Sequence, residues 1–213
     1  MTRPRAWWRS PPLVLAAGYA AGGVPFSNVA ARLTRGVDLR HVGTGTVSGT
    51  ALYRVAGFPP LAAAGICDVA KGSVGPLLAG RHRPSLAAIS GGLAVLGHDW
   101  SPFLRAAGGR GVSPAMGALL PYQPAGAAFL LAGLTLGRLA GESAVGVLVA
   151  DLAMVPFLSR FGGRRGRLAG AAVVVPMLLK RLSGNARPVS PGAGVYLWRL
   201  LLDRDRLSRG TPR

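Results

Sequence analysis

Cysteine and acidic residues are what this chain has least of. Its one cysteine, Cys67 in the apolar run 61–69, excludes an internal disulfide and reads as a small packing residue. Three histidines, His41, His82 and His98, with no cysteine pair, leave no metal-ligand spacing, so neither a metal nor a cofactor is expected. Asp and Glu number 7 against 25 Lys and Arg, a formal net charge of +18. In a soluble chain that excess would point to nucleic acid. Here no recognition motif or aromatic-studded basic strand accompanies it, and the arginines sit between or beyond apolar runs. They read as topological anchors against anionic headgroups, and no nucleic-acid partner is expected.

Charge of either sign is scarce as well. Charged residues make up 15% of the 213, where a soluble domain carries about a quarter. Half of the chain is hydrophobic and the mean hydropathy is +0.37. Stretches nearly free of charge, such as 125–137 and 143–155, are how membrane helices read. The composition therefore predicts an all-α polytopic integral membrane protein of about seven segments, near 12–32, 51–79, 86–104, 112–121, 123–138, 143–160 and 166–182. Several are short for a crossing of about 20 residues, and Pro121 and Pro124 divide one stretch, so broken or tilted helices are expected. The basic start, 1–9, followed by an apolar run from Leu13, reads as a retained first span rather than a cleaved signal. Residues 1–182 form the expected membrane domain. The basic remainder, 183–213, reads as a partly disordered or interfacial tail with an apolar patch, 195–202, centred on Trp198.

Two glycine-rich turns carry the chemistry. The first is Gly43-Thr44-Gly45-Thr46, with Arg54 on the helix behind it; the second is Gly108-Gly109-Arg110-Gly111, which opens an apolar helix. Glycine lets backbone N–H groups converge on an oxyanion, threonine hydroxyls add hydrogen bonds, and a guanidinium fork matches phosphate oxygens. The competing reading of the first turn is a flexible linker. Asp68 and Lys71, three apart, share one face of an apolar helix, either as a structural ion pair or as a substrate contact. His98, at a segment end, either meets a phosphate or caps a helix.

The order of these motifs resembles the acyl-phosphate:glycerol-3-phosphate acyltransferase family of bacterial membranes. The resemblance runs through Gly23-Val24-Pro25-Phe26, Gly36-Val37-Asp38-Leu39-Arg40-His41-Val42-Gly43-Thr44-Gly45, Asp68 with Lys71-Gly72, Val95-Leu96-Gly97-His98 and Gly108-Gly109-Arg110-Gly111-Val112. It implies a seven-helix enzyme of the bacterial cell membrane, with its site toward the cytosol. Such an enzyme moves a fatty acyl group from acyl phosphate to glycerol 3-phosphate and yields lysophosphatidic acid. It further implies that Thr44, Arg54, His98 and Arg110 serve catalysis, and that Gly43, Gly45, Thr46, Lys71, Gly108, Gly109 and Gly111 bind substrate. The expected partners are acyl phosphate, glycerol 3-phosphate or a related polyol phosphate, and membrane lipids, with a monomeric chain.

The departures from the family pattern are specific. Thr44 stands where the family has serine, Thr46 and Ala51 where it has asparagines, and Arg110 where it has lysine. The family's third motif, a His-Arg-Glu-Asn-like run, is replaced by Val175-Pro176-Met177-Leu178, with Asn185 beyond it as a candidate substitute. Two further readings stay open at this stage. One is a non-catalytic membrane paralogue that binds lipid or acyl phosphate; the other is an anion transporter with broken helices.

Overall fold

Proline and glycine decide where the helices of this chain begin and end. The structure, a computed structural model, describes residues 10–185 and 192–203. Helix α1 (Pro11–Gly23) starts on two prolines, where a missing donor does no harm, and stops before Pro25. Helix α2 (Phe26–Arg35) is ended by Gly36 in the left-handed region, φ 66°. A 3₁₀ turn at Leu39–His41 leads to α3 (Gly49–Ala56), whose first turn is capped by the Ser48 hydroxyl accepting from the Ala51 N–H. Then come α4 (Phe58–Ala79), α5 (Pro84–Asp99), a 3₁₀ turn at Pro102–Leu104, α6 (Val112–Leu119), α7 (Pro124–Leu139), α8 (Ser143–Ser183) and α9 (Ala193–Leu202). The described residues form no strand.

The apolar segments expected from the sequence are helical, with three differences that have local causes. Segment 12–32 is cut at Val24-Pro25 into α1 and α2. Segment 51–79 is cut by Gly57, φ 82°, ψ −168°, a conformation that takes the chain out of the helix just before Pro59 and Pro60. Segments 143–160 and 166–182 are two arms of one element, reversed at Gly163 (φ 53°, ψ −136°). The reversal is visible in the packing: a Cβ on Gly166 would meet the Leu158 carbonyl at 2.1 Å, and one on Gly170 would meet Met154 at 3.4 Å.

By length and composition, Pro11–Arg35, Phe58–Ala79 and Ser143–Ser183 can cross a membrane. Helix α6, with eight residues and about 12 Å of rise, cannot do so alone. The outward faces carry large apolar side chains, with Ile66 71%, Leu136 66% and Leu152 64% exposed, the surface that hydrocarbon rather than water requires.

The principal core lies among α5, α6, α7 and both arms of α8, around Val95, Leu119, Leu130, Met154, Leu158 and Met177. Helices α1 and α5 run side by side in the same direction, Gly18 against Ser90 and Gly22 against Ala94. At one end of the bundle Val14, Ala79 and Ala87 pack together. At the other, the break after Gly23, the end of α5, the start of α6 and the end of α8 converge, and both glycine turns lie there.

Small residues make the approach of α4 and α6 possible. A Cβ on Gly117 would lie 1.8 Å from the Val69 carbonyl oxygen, whereas one on Gly65 of α4 would meet nothing within 4 Å. Gly117→Ala is therefore expected to lower stability by about 1–3 kcal/mol through overpacking. Gly65→Ala should be neutral or gain about 0.5–1 kcal/mol from helix propensity. Thermal unfolding of the two variants in detergent checks the contrast.

Candidate functional site

The two glycine turns are stitched into one loop pair. The Val47 N–H donates to the Gly108 carbonyl at 3.0 Å. Asn185, just past the end of α8, completes the seam with its amide: Nδ2 donates to the carbonyls of Gly108 at 2.9 Å and Gly45 at 3.2 Å, and Oδ1 accepts from the Gly108 N–H at 3.3 Å. One side chain thus ties residues 140 positions apart and meets polar backbone groups that would be costly to leave unpaired at membrane depth. Within the first turn the Thr44 hydroxyl donates to that of Thr46 at 3.0 Å. Thr44 and Gly43 are exposed and Thr46 is buried beneath them.

Arg110 projects from the second turn into this seam. Its Nη1 donates to the Lys180 carbonyl at 2.8 Å, its Nη2 reaches the Thr46 hydroxyl at 3.5 Å, and its Nε pairs with Asp203 Oδ1 at 2.7 Å. Gly111 follows in the left-handed region, φ 73°, as the cap of α6, so the guanidinium sits beside the positive end of that helix. An anion placed there would meet both.

A second polar group lies deeper. The buried Lys71 ammonium pairs with Asp68 Oδ1 at 2.7 Å, donates to the Val24 carbonyl at 2.6 Å, and lies 3.0 Å from His98 Nδ1. An ammonium only donates, so Nδ1 accepts and the proton of neutral His98 belongs on Nε2. That Nε2 faces the second turn: a Cβ on Gly109 would sit 2.1 Å from it. Glycine at 109 is what lets the imidazole reach the backbone. Ser27 donates to the other oxygen of Asp68 at 3.4 Å. His98, Ser27, Val47, Gly108 and Gly109 line a cavity of about 10 Å³, room for about one water.

The structure brings Gly43, Gly45, Thr44, Thr46, Gly108, Gly109, Gly111, Arg110, His98 and Lys71 to one end of the bundle. Lys71 has all three ammonium hydrogens directed at Asp68, Val24 and His98, which makes it a support for the imidazole. Arg54 is exposed on α3 and, among the described residues, has no hydrogen-bond or ion-pair partner. Sequence reasoning did not find Asp99, Lys180 or Asp203. Asp99 and Lys180 are fully buried where α5 and α8 end, and the Lys180 ammonium lies 4.9 Å from the centre of the Trp100 ring. Their signal in the sequence was a charge within an apolar run, the cue that exposed Asp68 and Lys71.

The profile of the family described as glycerol-3-phosphate acyltransferase matches residues 12–189. Glycerol-3-phosphate acyltransferase 4 of Dehalococcoides mccartyi (strain CBDB1) is 31% identical, over 92% of this chain and 90% of its own. Glycerol-3-phosphate acyltransferase 1 of Deinococcus radiodurans is 32% identical, over 94% of this chain and 93% of its own. Among solved structures, the glycerol 3-phosphate form of PlsY (YgiH), an integral membrane glycerol 3-phosphate acyltransferase, superposes with a TM-score of 0.73 at 25% identity. That superposition covers 80% of this chain and 88% of that one.

The approach to the first turn is braced by Asp38, which Arg32 and Arg40 both grip, Arg40 through Nη2 at 2.6 Å. The hydrogen bond from Arg40, with that from Arg32, holds the Asp38 carboxyl well below the usual carboxylate range. A depressed value means that the brace is fully present above the unfolded value, about 3.9, and is lost as pH falls below it toward the folded value. Thermal unfolding followed from about pH 6 down to about pH 3 should therefore fall less steeply in Asp38→Asn than in the parent chain.

Proposed function

Because the chain belongs to the glycerol-3-phosphate acyltransferase family, we propose that the joined glycine turns are the site at which it transfers a fatty acyl group from acyl phosphate to glycerol 3-phosphate. The observation that carries this reading is Arg110, held at the seam of two glycine turns beside a helix N-terminus. Such a place neutralises phosphate charge with preorganised donors.

In this reading Arg110 and the N–H groups around Gly108, Gly109 and Gly111 hold phosphate. Thr44 and Thr46, with Gly43 and Gly45, orient the polyol phosphate, and exposed Arg54 is free to close on it. His98 offers its Nε2–H at the second turn, positioned by Lys71. With Nδ1 engaged by the ammonium, His98 is a donor rather than a base. The acceptor hydroxyl oxygen then bonds to the acyl carbon, the bond from that carbon to the phosphate oxygen breaks, and the departing phosphate takes the hydroxyl proton. Positioning and electrostatics supply the rate. Asn185 takes the place of the absent third motif by holding the two turns together.

The test is turnover of acyl phosphate and glycerol 3-phosphate by the purified chain in lipid, read as lysophosphatidic acid formed. Arg110→Ala is expected to cut turnover on the order of 100-fold or more, the usual cost of one preorganised donor. Product formation unchanged in Arg110→Ala would overturn the assignment. No product from the parent chain, with acyl-phosphate binding retained, would make it a non-catalytic lipid-binding relative.

The reading also places the site toward the cytosol of a bacterial cell membrane. Ser10 and Ser159 lie toward the end of the bundle away from the site, and should then face outward despite Arg160, Arg164, Arg165 and Arg167 nearby. Cysteines at these two positions, in a chain lacking Cys67, are expected to react with an impermeant reagent added outside intact cells. Labelling of both only from the cytosolic side contradicts that orientation.

A further inference from the structure

The end of the bundle away from the glycine turns holds a cavity that the function proposed above does not use. It measures about 240 Å³ and lies where the end of α4, the start of α5, the end of α6 and the second arm of α8 meet. Part of its lining is small and apolar: Pro76 is buried, and Ala118 and Ala169 are half-buried. The rest is polar and more open to the surroundings. Arg81 comes from the turn after α4, Tyr122 and Gln123 from the turn before α7, and Arg165 from just past the reversal at Gly163. Gln123 lies against that reversal, since a Cβ on Gly162 would sit 3.1 Å from its Oε1.

Negative charge is what this end of the molecule lacks. Residues 76–91, 117–126 and 156–170, which build it, contain six arginines and no Asp or Glu. Among the described residues, neither Arg81 nor Arg165 has a hydrogen-bond or ion-pair partner. Two guanidinium forks on one cavity are matched by an anion with several acceptor oxygens, which is what phosphate supplies.

The surroundings select the kind of phosphate. Arg81 and Arg165 stand at helix ends, at the depth of headgroups, and Tyr122 is a side chain typical of that boundary. Next in sequence to the lining, or two residues from it, Leu77, Leu120 and Leu168 are exposed. A soluble anion leaves this apolar surface uncovered, whereas a phospholipid covers it with its acyl chains. The cavity is smaller than the roughly 300–1,000 Å³ that encloses a whole small ligand, so it takes a headgroup and leaves the chains outside. A zwitterionic headgroup would bring an ammonium group among six arginines with no acid to receive it. A net anionic headgroup brings none.

We propose that this cavity binds one anionic phospholipid, its phosphate held by Arg81 and Arg165 with Tyr122 and Gln123 as hydrogen-bond partners, and its acyl chains along Leu77, Leu120 and Leu168. The lipid joins α4, α5 and the second arm of α8 at the place where the eight-residue α6 ends, and it supplies the counter-charge that the protein itself withholds. In the orientation proposed above it belongs to the outer leaflet. Arginines kept on that side against the positive-inside tendency then have a partner there.

The experiment is thermal unfolding of the full chain in uncharged detergent, titrated with short-chain phosphatidylglycerol, with phosphatidylcholine of the same chain length, and with inorganic phosphate. One variant combines Arg81→Gln with Arg165→Gln. A second, with equal charge loss at the same end but outside the cavity, combines Arg160→Gln with Arg167→Gln. Phosphatidylglycerol is expected to raise the unfolding midpoint of the parent chain saturably, by about 5–10 °C at a hundredfold excess over its Kd. The Arg160/Arg167 variant keeps that rise and the Arg81/Arg165 variant loses it, while phosphatidylcholine gives none. Without lipid both variants should unfold within about 2 °C of the parent chain, which separates lost binding from a damaged fold. An equal rise in the two variants means a diffuse basic surface and overturns the site, as does no rise in the parent chain or an equal one with phosphatidylcholine. The full rise with inorganic phosphate alone makes this a soluble-anion site and contradicts the lipid assignment.

Discussion

One buried ammonium organises the centre of this molecule. Lys71 stands in an apolar helix where an unpaired charge would be prohibitive, so its three hydrogens must each find an acceptor. They find Asp68 on the same helix, the Val24 carbonyl at the break between α1 and α2, and His98 at the end of α5. Three pieces of chain are thereby fixed to one atom. Removing one partner of such a group costs about 3–5 kcal/mol, because the other charge is then left uncompensated. The placement of His98 against Gly109, and through it the position of the second glycine turn, follows from that constraint.

The same logic of satisfying polar groups away from water recurs one layer further out. The glycine turns are irregular backbone at the end of a membrane bundle, and the Asn185 amide pairs three of their backbone groups at once. Arg110 is held by a helix carbonyl, a threonine hydroxyl and a carboxylate. What looks like apparatus for binding phosphate is also what lets the loops exist where they are. Asn185 does this joining from just past the end of α8, a position that no local pattern in the chain marks out.

Features set by local chemistry could be read directly from the sequence. The scarcity of charge identified a membrane protein because lipid imposes composition residue by residue, and family membership agrees with the order of the motifs. Asp68 and Lys71 were legible as a pair because three residues on a helix make neighbours. Breaks at Pro25 and Gly57 were only partly legible, since a glycine or proline in an apolar run marks a weak point without stating which way the chain turns. Features that depend on distant chain segments were hidden. Nothing local says that Asn185 reaches Gly45, that Asp99 and Lys180 are buried close to the second turn, or that the apolar patch at 195–202 folds back to place Asp203 on Arg110. That Arg54 lies on an exposed face of α3 was likewise not given by its spacing, because helix phase as well as spacing decides where a side chain points.

The central claim is that phosphate is received at Arg110 in the seam between the two glycine turns. The most direct measurement is a structure of this chain with glycerol 3-phosphate bound in a lipid phase. The account predicts phosphate oxygens within hydrogen-bond distance of the Arg110 guanidinium, the Asp203 carboxylate moved off Nε, and Asn185 still joining Gly45 to Gly108. Phosphate held elsewhere, with the ion pair between Arg110 and Asp203 intact, would contradict it.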